Sequence, residues 1–279
     1  MLSVHAILGV FGIISLTNFA VPAAHADTLK PGFKEIIGGQ DVSPDDLIAK
    51  TTVLIVGKEK GQTFLCSGSI IAPNLVLTAA HCLGARGDAQ LVVVFSTSIH
   101  SQGKVVRVQS QIQNAGFHNL KRGQGSDWND LGMLRLSENI PLGYTVAKLA
   151  GDSTFLHNGS SVTLAGYGIN VPVPPTNQQD EAGAGVLRKI DQTVLQAHYG
   201  QTEFLVSLKN GGSCHGDSGG PAMAQSGSDH VLVGVASRLT GDDQVGQQGN
   251  EQDFSCTVDM IYTDVGAQMN WIQRAAAQL

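Results

Sequence analysis

The chain has 279 residues, of which 42% are hydrophobic and 14% charged, enough to bury one large core or two modest ones. Its net charge is −6 and no cluster of lysines or arginines stands out, which argues against nucleic acid and acidic membranes as partners. The 34 glycines and the aromatic content of only 5% favour an all-β protein with many tight turns over a helical bundle.

The N-terminus has the pattern of a secretion signal. The apolar run Ala6–Leu16 is followed by Pro22 and by the small-x-small tripeptide AHA at positions 24–26. The alternative is a membrane anchor, but the run is shorter than the roughly 20 residues that span a bilayer. We therefore predict that residues 1–26 are a signal peptide, that residues 27–35 are a pro-segment, and that the protein is secreted to the extracellular space or periplasm.

From Ile36 onward, short β-rich runs alternate with turn residues, which indicates a sandwich or barrels of antiparallel strands. The predicted strands are Thr52–Val56, Ser69–Ile71, Leu75–Thr78, Leu91–Phe95, Lys104–Val108, Leu131–Leu136, Ser161–Ala165, Leu187–Leu195 and His230–Ser237. The segments Ile169–Gly185 and Thr240–Glu251 are rich in Gly, Pro or Gln and are predicted to be long exposed loops. The one clear helical pattern is Val265–Leu279.

Four cysteines in an exported chain predict two disulfides, and four thiols allow three pairings. Cys66 and Cys82 are close in sequence and far from Cys214 and Cys256, so local pairing would cross-link each half of the molecule separately. The alternative is buried free thiols, which an oxidising compartment disfavours.

Three motifs carry candidate chemistry. Ser218 lies in CHGDSGGP, where three glycines indicate unusual backbone geometry or close approach by another molecule. A serine hydroxyl is a poor nucleophile without a base, and the chain offers His81 in VLTAAHC and Asp130 in WNDLGMLRL. Taken singly, each would be a turn residue, a structural histidine or a residue at a strand end. Asp127 is a rival for Asp130, but no apolar strand follows it directly.

In these three motifs, and in their order, the sequence resembles the chymotrypsin/trypsin family of secreted serine proteases. The resemblance runs from about Ile36 to the C-terminus. It implies an all-β fold of two six-stranded antiparallel β-barrels with a C-terminal helix. The N-terminal barrel would cover residues 36–148 and the C-terminal barrel residues 149–279, with the catalytic cleft between them.

The resemblance also implies a role for each motif. His81 would act as the base that takes the proton of Ser218, and Asp130 would hold the histidine in the required tautomer. Ser218 would attack the scissile carbonyl, and the backbone N–H groups of Gly216 and Ser218 would form the oxyanion hole. In this family the pairs Cys66–Cys82 and Cys214–Cys256 are typical disulfides.

The segment EIIGGQDV resembles the N-terminus that is released when such zymogens are cut. The new ammonium group of Ile36 would then pair with the carboxylate of Asp217, since burying a carboxylate alone is costly. Trypsin-like activators cut after Arg or Lys, whereas Glu35 precedes Ile36 here. An activating protease is therefore expected unless the enzyme activates itself.

The predicted specificity pocket departs from that of trypsin-like members. Gly212 stands where they carry an aspartate, so a preference for Arg or Lys is disfavoured, and Leu239 replaces a glycine. We expect a small or medium apolar residue before the cut bond. The alternative is acidic specificity, in which Ser213, His215 and Arg238 would bind a carboxylate. The predicted pocket consists of Gly212, Ser213, His215, Ser237, Leu239 and Met260.

Two other functions compete with an active peptidase. An inactive homologue could act as a binding protein, but such proteins usually lose a triad residue and this chain keeps all three. An esterase of the α/β-hydrolase type would carry its G-x-S-x-G motif on a strand–turn–helix and would have its triad in the order Ser, Asp, His, which this chain does not show. We expect protein or peptide substrates, no cofactor and no metal, no nucleic-acid or membrane partner, and a monomer.

Overall fold

The computed structural model of the protein describes residues 36–117, 127–170, 183–209, 211–227, 229–240, 256 and 259–279. The predicted signal peptide and pro-segment lie outside these residues, as do most of the two predicted long loops. In the part of the chain that is described, no helix has the length and apolar character needed to cross a membrane.

The first barrel is a closed antiparallel sheet of six strands in the order β2-β3-β4-β7-β6-β5. Its apolar β-branched and leucine side chains point inward, so that Val53, Ile55, Ile70 and Val93 are fully buried. The strand bounds are β2 Thr52–Glu59, β3 Gln62–Ala72, β4 Leu75–Thr78, β5 Gln90–Phe95, β6 Lys104–Gln113 and β7 Gly132–Leu136. A two-residue strand, β1 (Gln40–Asp41), and a short helix, α1 (Leu47–Thr51), precede this barrel.

The second barrel also has six strands and closes because its first strand pairs with two others. The strands are β9 Ser161–Gly166, β10 Arg188–Gln196, β11 Glu203–Val206, β12 Pro221–Ser226, β13 Asp229–Leu239 and β14 Met260–Asp264. Their order is β10-β11-β14-β13-β12-β9, and β9 returns to β10. The short strand β8 (Lys148–Leu149) runs parallel to β13, and β1 pairs with β10.

The C-terminal helix, α2 (Met269–Gln278), begins four residues later than the sequence predicts. Val265 directly follows β14 and is still hydrogen-bonded to the sheet, since its N–H donates to the carbonyl of Val233 at 3.0 Å. A turn at residues 266–268 then redirects the chain into the helix. The two barrels with a C-terminal helix confirm the predicted fold.

Candidate active site

His81 and Asp130 leave two neighbouring strands of the first barrel at the same end. Thr78, the last residue of β4, pairs with Gly132, the first residue of β7, so the chain that follows β4 meets the chain that precedes β7. Nδ1 of His81 lies 2.7 Å from Oδ2 of Asp130, and the backbone N–H of His81 donates to Oδ1 at 3.0 Å. Both carboxylate oxygens therefore bind the same histidine.

The carboxylate of Asp130 is enclosed, with its side chain only 1% exposed, while the side chain of His81 is 37% exposed. Ser237 of β13 donates from Oγ to Oδ2 of Asp130 at 2.8 Å. Burial by itself would raise the pKa of Asp130, but the charge and hydrogen bonds of His81 and the Ser237 hydroxyl together hold that pKa below its ordinary value. Asp130 is therefore an anion that orients His81 and stabilises its cationic form.

The Ser218 loop of the second barrel is hydrogen-bonded to the first barrel next to His81. The carbonyl of Ser218 accepts the N–H of Ser67 at 2.8 Å and lies 3.6 Å from Sγ of Cys82, the residue after His81. On its other side, the N–H of Gly219 donates to the carbonyl of Ala236 at 2.8 Å. The structure thus brings His81, Asp130 and the Ser218 loop together.

Two glycines of this loop are required by close approach and by backbone geometry. Gly216 has a φ of +95°, and a Cβ there would lie 2.9 Å from the Cα of Gly168. Gly219 has a φ of +79°, and a Cβ there would overlap the side chain of Thr78 at the end of β4. Both values lie in the left-handed region that side chains disfavour. Glycine allows the loop to pack against the first barrel and leaves residue 216 without a side chain.

Ser67 fixes the loop from the opposite barrel, and sequence reasoning missed it. Its hydroxyl donates to the carbonyl of Gly216 at 3.0 Å and accepts the N–H of Tyr167 at 3.0 Å. Because its own N–H also binds Ser218, Ser67 fixes the chain on both sides of Asp217. The sequence gives no clear signal for this role, because β3 contains other polar residues and Ser69 is buried equally well.

Asp217 is fully buried beneath the loop. Its Oδ1 accepts the N–H of Gly168 at 2.7 Å and its Oδ2 accepts the N–H of Cys214 at 2.8 Å. Burial raises the pKa of Asp217 to about 6, although these two donors and the charge of the buried Arg188 act in the opposite direction. The anion of Asp217 is therefore less stable here than in water, and the group carries its proton below about pH 6.

This raised pKa makes a contribution to stability that depends on pH. The folded chain retains the proton of Asp217 up to about pH 6, whereas the unfolded chain loses it near 3.8. The contribution is therefore complete below pH 4 and is lost as the pH rises through 6, with a size on the order of 3 kcal/mol. We compare two uncleaved proteins, Ser218→Ala and Ser218→Ala/Asp217→Asn. Between pH 4 and 7, we expect the free energy of unfolding of the first to fall relative to that of the second. A difference that stays constant between pH 4 and 7, measured by urea unfolding, would contradict the pKa of Asp217.

The segment that begins at Ile36 lies in the second barrel. Ile36 is fully buried, and the carbonyl of Ile37 accepts the N–H of Gly212 at 2.8 Å. Gly212 is two residues before Cys214, whose N–H binds Asp217. The beginning of the described chain therefore lies along the segment that supports the Ser218 loop.

Five of the six predicted pocket residues are buried, namely Gly212, Ser213, Ser237, Leu239 and Met260. Leu239 pairs with Met260 across β13 and β14. The hydroxyl of Ser213 lies 2.6 Å from that of Tyr262. Ser237 binds Asp130 as described above, and His215 is exposed.

Arg238, the residue considered for binding an acidic substrate, is 5% exposed and forms an ion pair with Glu203. Its Nη1 and Nη2 donate to Oε1 and Oε2 of Glu203 at 2.7 and 3.0 Å. Both terminal nitrogens of the guanidinium thus bind a protein carboxylate. This arrangement counts against the acidic alternative.

Two disulfides, Cys66–Cys82 and Cys214–Cys256, are present as the resemblance implies. The first holds the turn that carries His81 against β3, and the second begins four residues before Ser218. His81 and His215 each lie next to one disulfide. The sulfurs of these cysteines are bonded to each other and so are not thiolate ligands for a metal.

Comparison with known proteins agrees with this geometry. The trypsin family profile matches residues 36–272. Serine protease SP24D of Anopheles gambiae is 30% identical over 232 residues, which cover 80% of this chain and 79% of that protein. Trypsin 5G1 of Aedes aegypti is 26% identical over 86% of this chain and 85% of its own length, and a chymotrypsin of Phaedon cochleariae is 26% identical over 96% and 95%. With two six-stranded barrels and a family match over most of its length, the chain belongs to the trypsin family and is a serine endopeptidase that acts on protein substrates.

Proposed function

We propose that the protein is a secreted endopeptidase that works through a Ser218–His81–Asp130 triad and is made as a zymogen. The observation that carries this proposal is the binding of His81 by both oxygens of Asp130, beside a loop that carries Ser218. The relatives are named trypsin, chymotrypsin and serine protease, which supports the same chemistry.

In the proposed reaction, Oγ of Ser218 attacks the carbonyl carbon of the scissile bond while Nε2 of His81 takes its proton. The oxyanion that forms accepts hydrogen bonds from the N–H groups of Gly216 and Ser218. His81 then gives its proton to the leaving amine, the C–N bond breaks, and an acyl-enzyme remains. A water molecule repeats the sequence, releasing the acid and restoring Ser218.

A diphenyl phosphonate tests this function directly, because it reacts with a serine that a base has activated. We expect covalent labelling of Ser218 in the matured protein, located by mass spectrometry of its peptides, and no labelling after His81→Ala. Absence of labelling in matured protein with parental folding would favour the inactive homologue that only binds.

Secretion and activation rest on the sequence and on the burial of Ile36. Residues 1–26 have the pattern of a signal peptide, and cleavage after Glu35 would free an ammonium group at a residue that is fully buried. The two disulfides suit an oxidising compartment.

For specificity, we propose a preference for Ala, Val or Leu before the cut bond. Gly212, Ser213, Leu239 and Met260 carry no charge that would compensate a buried Arg or Lys side chain. Leu239 and Met260 are paired across β13 and β14, and as walls of the pocket their side chains would take up room that an aromatic ring needs. Discrimination should be modest, roughly 10–200-fold per methylene-sized difference, because apolar pockets discriminate weakly.

The variant Leu239→Gly tests whether the Leu239 side chain limits the size of the substrate side chain that the pocket accepts. We expect kcat/KM for a peptide with Phe before the cut bond to rise at least ten-fold relative to the matched Ala peptide, within the limits of apolar discrimination. Leu142→Ala, which changes a fully exposed leucine, should leave this ratio unchanged. In the parental enzyme, the highest kcat/KM for a peptide with Arg before the cut bond would contradict both the apolar and the acidic pocket. The highest value for a peptide with Glu at that position would favour the acidic alternative.

A further inference from the structure

The turn that leads into Asp130 is bound by a buried carboxylate of the second barrel. Glu203, the first residue of β11, is 1% exposed. Its Oε2 accepts the N–H of Asp127 at 3.1 Å and its Oε1 accepts the N–H of Trp128 at 2.9 Å. The backbone two and three residues before Asp130 is therefore held by a side chain 75 positions away in sequence.

Arg238 completes this arrangement. Its guanidinium binds both oxygens of Glu203 and lies over the ring of Trp128, with Cζ 4.3 Å from the ring centroid. The preceding residue, Ser237, donates to the carboxylate of Asp130. Two consecutive residues of β13 thus bind the Asp130 carboxylate and the turn that carries it.

A reciprocal set of hydrogen bonds runs from the turn to the second barrel. Oδ1 of Asp127 accepts the N–H groups of Gln201 and Thr202 at 2.8 and 2.7 Å and the hydroxyl of Thr202 at 2.9 Å. Asp127 and Asn129 have φ values of +72° and +52°, which non-glycine residues rarely adopt. A turn in this conformation persists only where its surroundings hold it.

We propose that Glu203 and Arg238, together with Asp127, are positioning residues that set the place of Asp130 and, through it, the orientation of His81. A buried ion pair by itself is weak evidence for stability, because desolvation offsets most of its attraction. Here the pair binds two backbone N–H groups and one indole ring of the turn before Asp130, so it determines geometry. The proposal rests on the proposed triad and adds a second set of contacts behind it.

The test compares three variants on a small amino-acid ester, whose hydrolysis depends on acyl transfer and little on extended substrate binding. Glu203→Gln keeps the shape of the side chain but places an NH₂ group against backbone donors. Glu203→Gln/Arg238→Met removes both charges, which avoids a buried unpaired charge. Asp127→Ala breaks the reciprocal contacts at a partly exposed site. Lys148→Met, which removes an exposed ion pair between β8 and β13, is the control.

We expect kcat to fall roughly 10–100-fold in the double variant, because a displacement of about 1 Å in a catalytic group has effects of this size. The acidic limb of the pH profile should move to lower pH, since a displaced Asp130 stabilises the histidine cation less. Asp127→Ala should also lower kcat and move the acidic limb to lower pH. Lys148→Met should leave both kcat and the pH profile unchanged. A double variant with parental melting temperature, parental kcat and an unchanged pH profile would overturn the proposal.

A second measurement separates this proposal from the triad itself. In chains that also carry Ser218→Ala, proton NMR follows the low-field resonance of the hydrogen between Nδ1 of His81 and Oδ2 of Asp130. Loss or broadening of this signal in the double variant supports positioning even if Ser218 fails to react with the phosphonate. An unchanged signal overturns the positioning role, whereas labelling of Ser218 in the parent protein reports on the triad alone.

Discussion

Replacing Ser218 by alanine should lower the rate of peptide hydrolysis by about 10⁴-fold or more, and His81→Ala should have an effect of similar size. The magnitude is carried over from serine proteases with the same triad. The physical reason is that Ser218→Ala removes the nucleophile, while His81→Ala leaves a hydroxyl that no base activates. The measurement is kcat for one peptide under saturating substrate, with folding checked by thermal unfolding.

The double variant Ser218→Ala/His81→Ala should be about as slow as either single variant, because the two residues act in one step and their effects do not add. Asp130→Asn should fold normally and still lose much of the activity, since an amide can favour the wrong tautomer of His81. The controls are His100→Ala and Ser101→Ala, which replace an exposed histidine and an exposed serine outside the triad. Both should leave kcat unchanged. Turnover by Ser218→Ala at a rate comparable with the parent would exclude the proposed nucleophile.

The fold and the three triad motifs could be predicted because their signals are local in sequence. Short apolar runs between turn residues predict strands, and the glycines around Ser218 predict a loop with restricted geometry. The triad residues stand in motifs of seven to nine residues, which can be recognised in the sequence together with their order along the chain. Nine strands were predicted in this way, and each lies within or largely overlaps an observed strand.

Two of the strands that were missed have weak local signals. Pro221–Ser226 begins with proline directly after two glycines, which is typical of a turn, yet the segment pairs with both β9 and β13. Glu203–Val206 begins with a buried glutamate, which no strand pattern favours. Its burial is explained only by Arg238, 35 positions later, and by the turn before Asp130.

The contacts that complete the site are also long-range. Ser67 and Gly216 are 149 positions apart, and the hydroxyl–carbonyl bond between them exists only once both barrels are packed together. From the sequence alone, Arg238 is a candidate for binding an acidic substrate residue. The ion pair with Glu203 explains the same arginine, because the two residues and Trp128 occupy one buried cluster.

Activation by cleavage before Ile36 is the second large effect expected. Asp217 supports the loop that carries the proposed oxyanion donors, and burial raises the pKa of its carboxyl group to about 6, so that a further positive charge nearby would stabilise its anion. A new ammonium group at Ile36 would supply that charge within a buried segment next to Gly212. Since loss of one oxyanion donor costs about 10²–10³-fold in rate, we expect cleavage to raise kcat by at least about 100-fold.

The experiment replaces residues 31–35 by the recognition sequence of a specific protease, so that the cut leaves Ile36 as the first residue. The matched control leaves one additional alanine before Ile36, which places the ammonium group one residue too far along the chain. Only the first protein should gain activity on cutting, and Asp217→Asn should remove that gain because an amide cannot form the ion pair. Equal activity of the cut and uncut chains, or an equal gain with the extra alanine, would show that Asp217 finds its counter-charge elsewhere. Arg188 would then be the first residue to test, because its charge already acts on Asp217 and its Nη1 donates to the carbonyl of Gly168 at 3.3 Å.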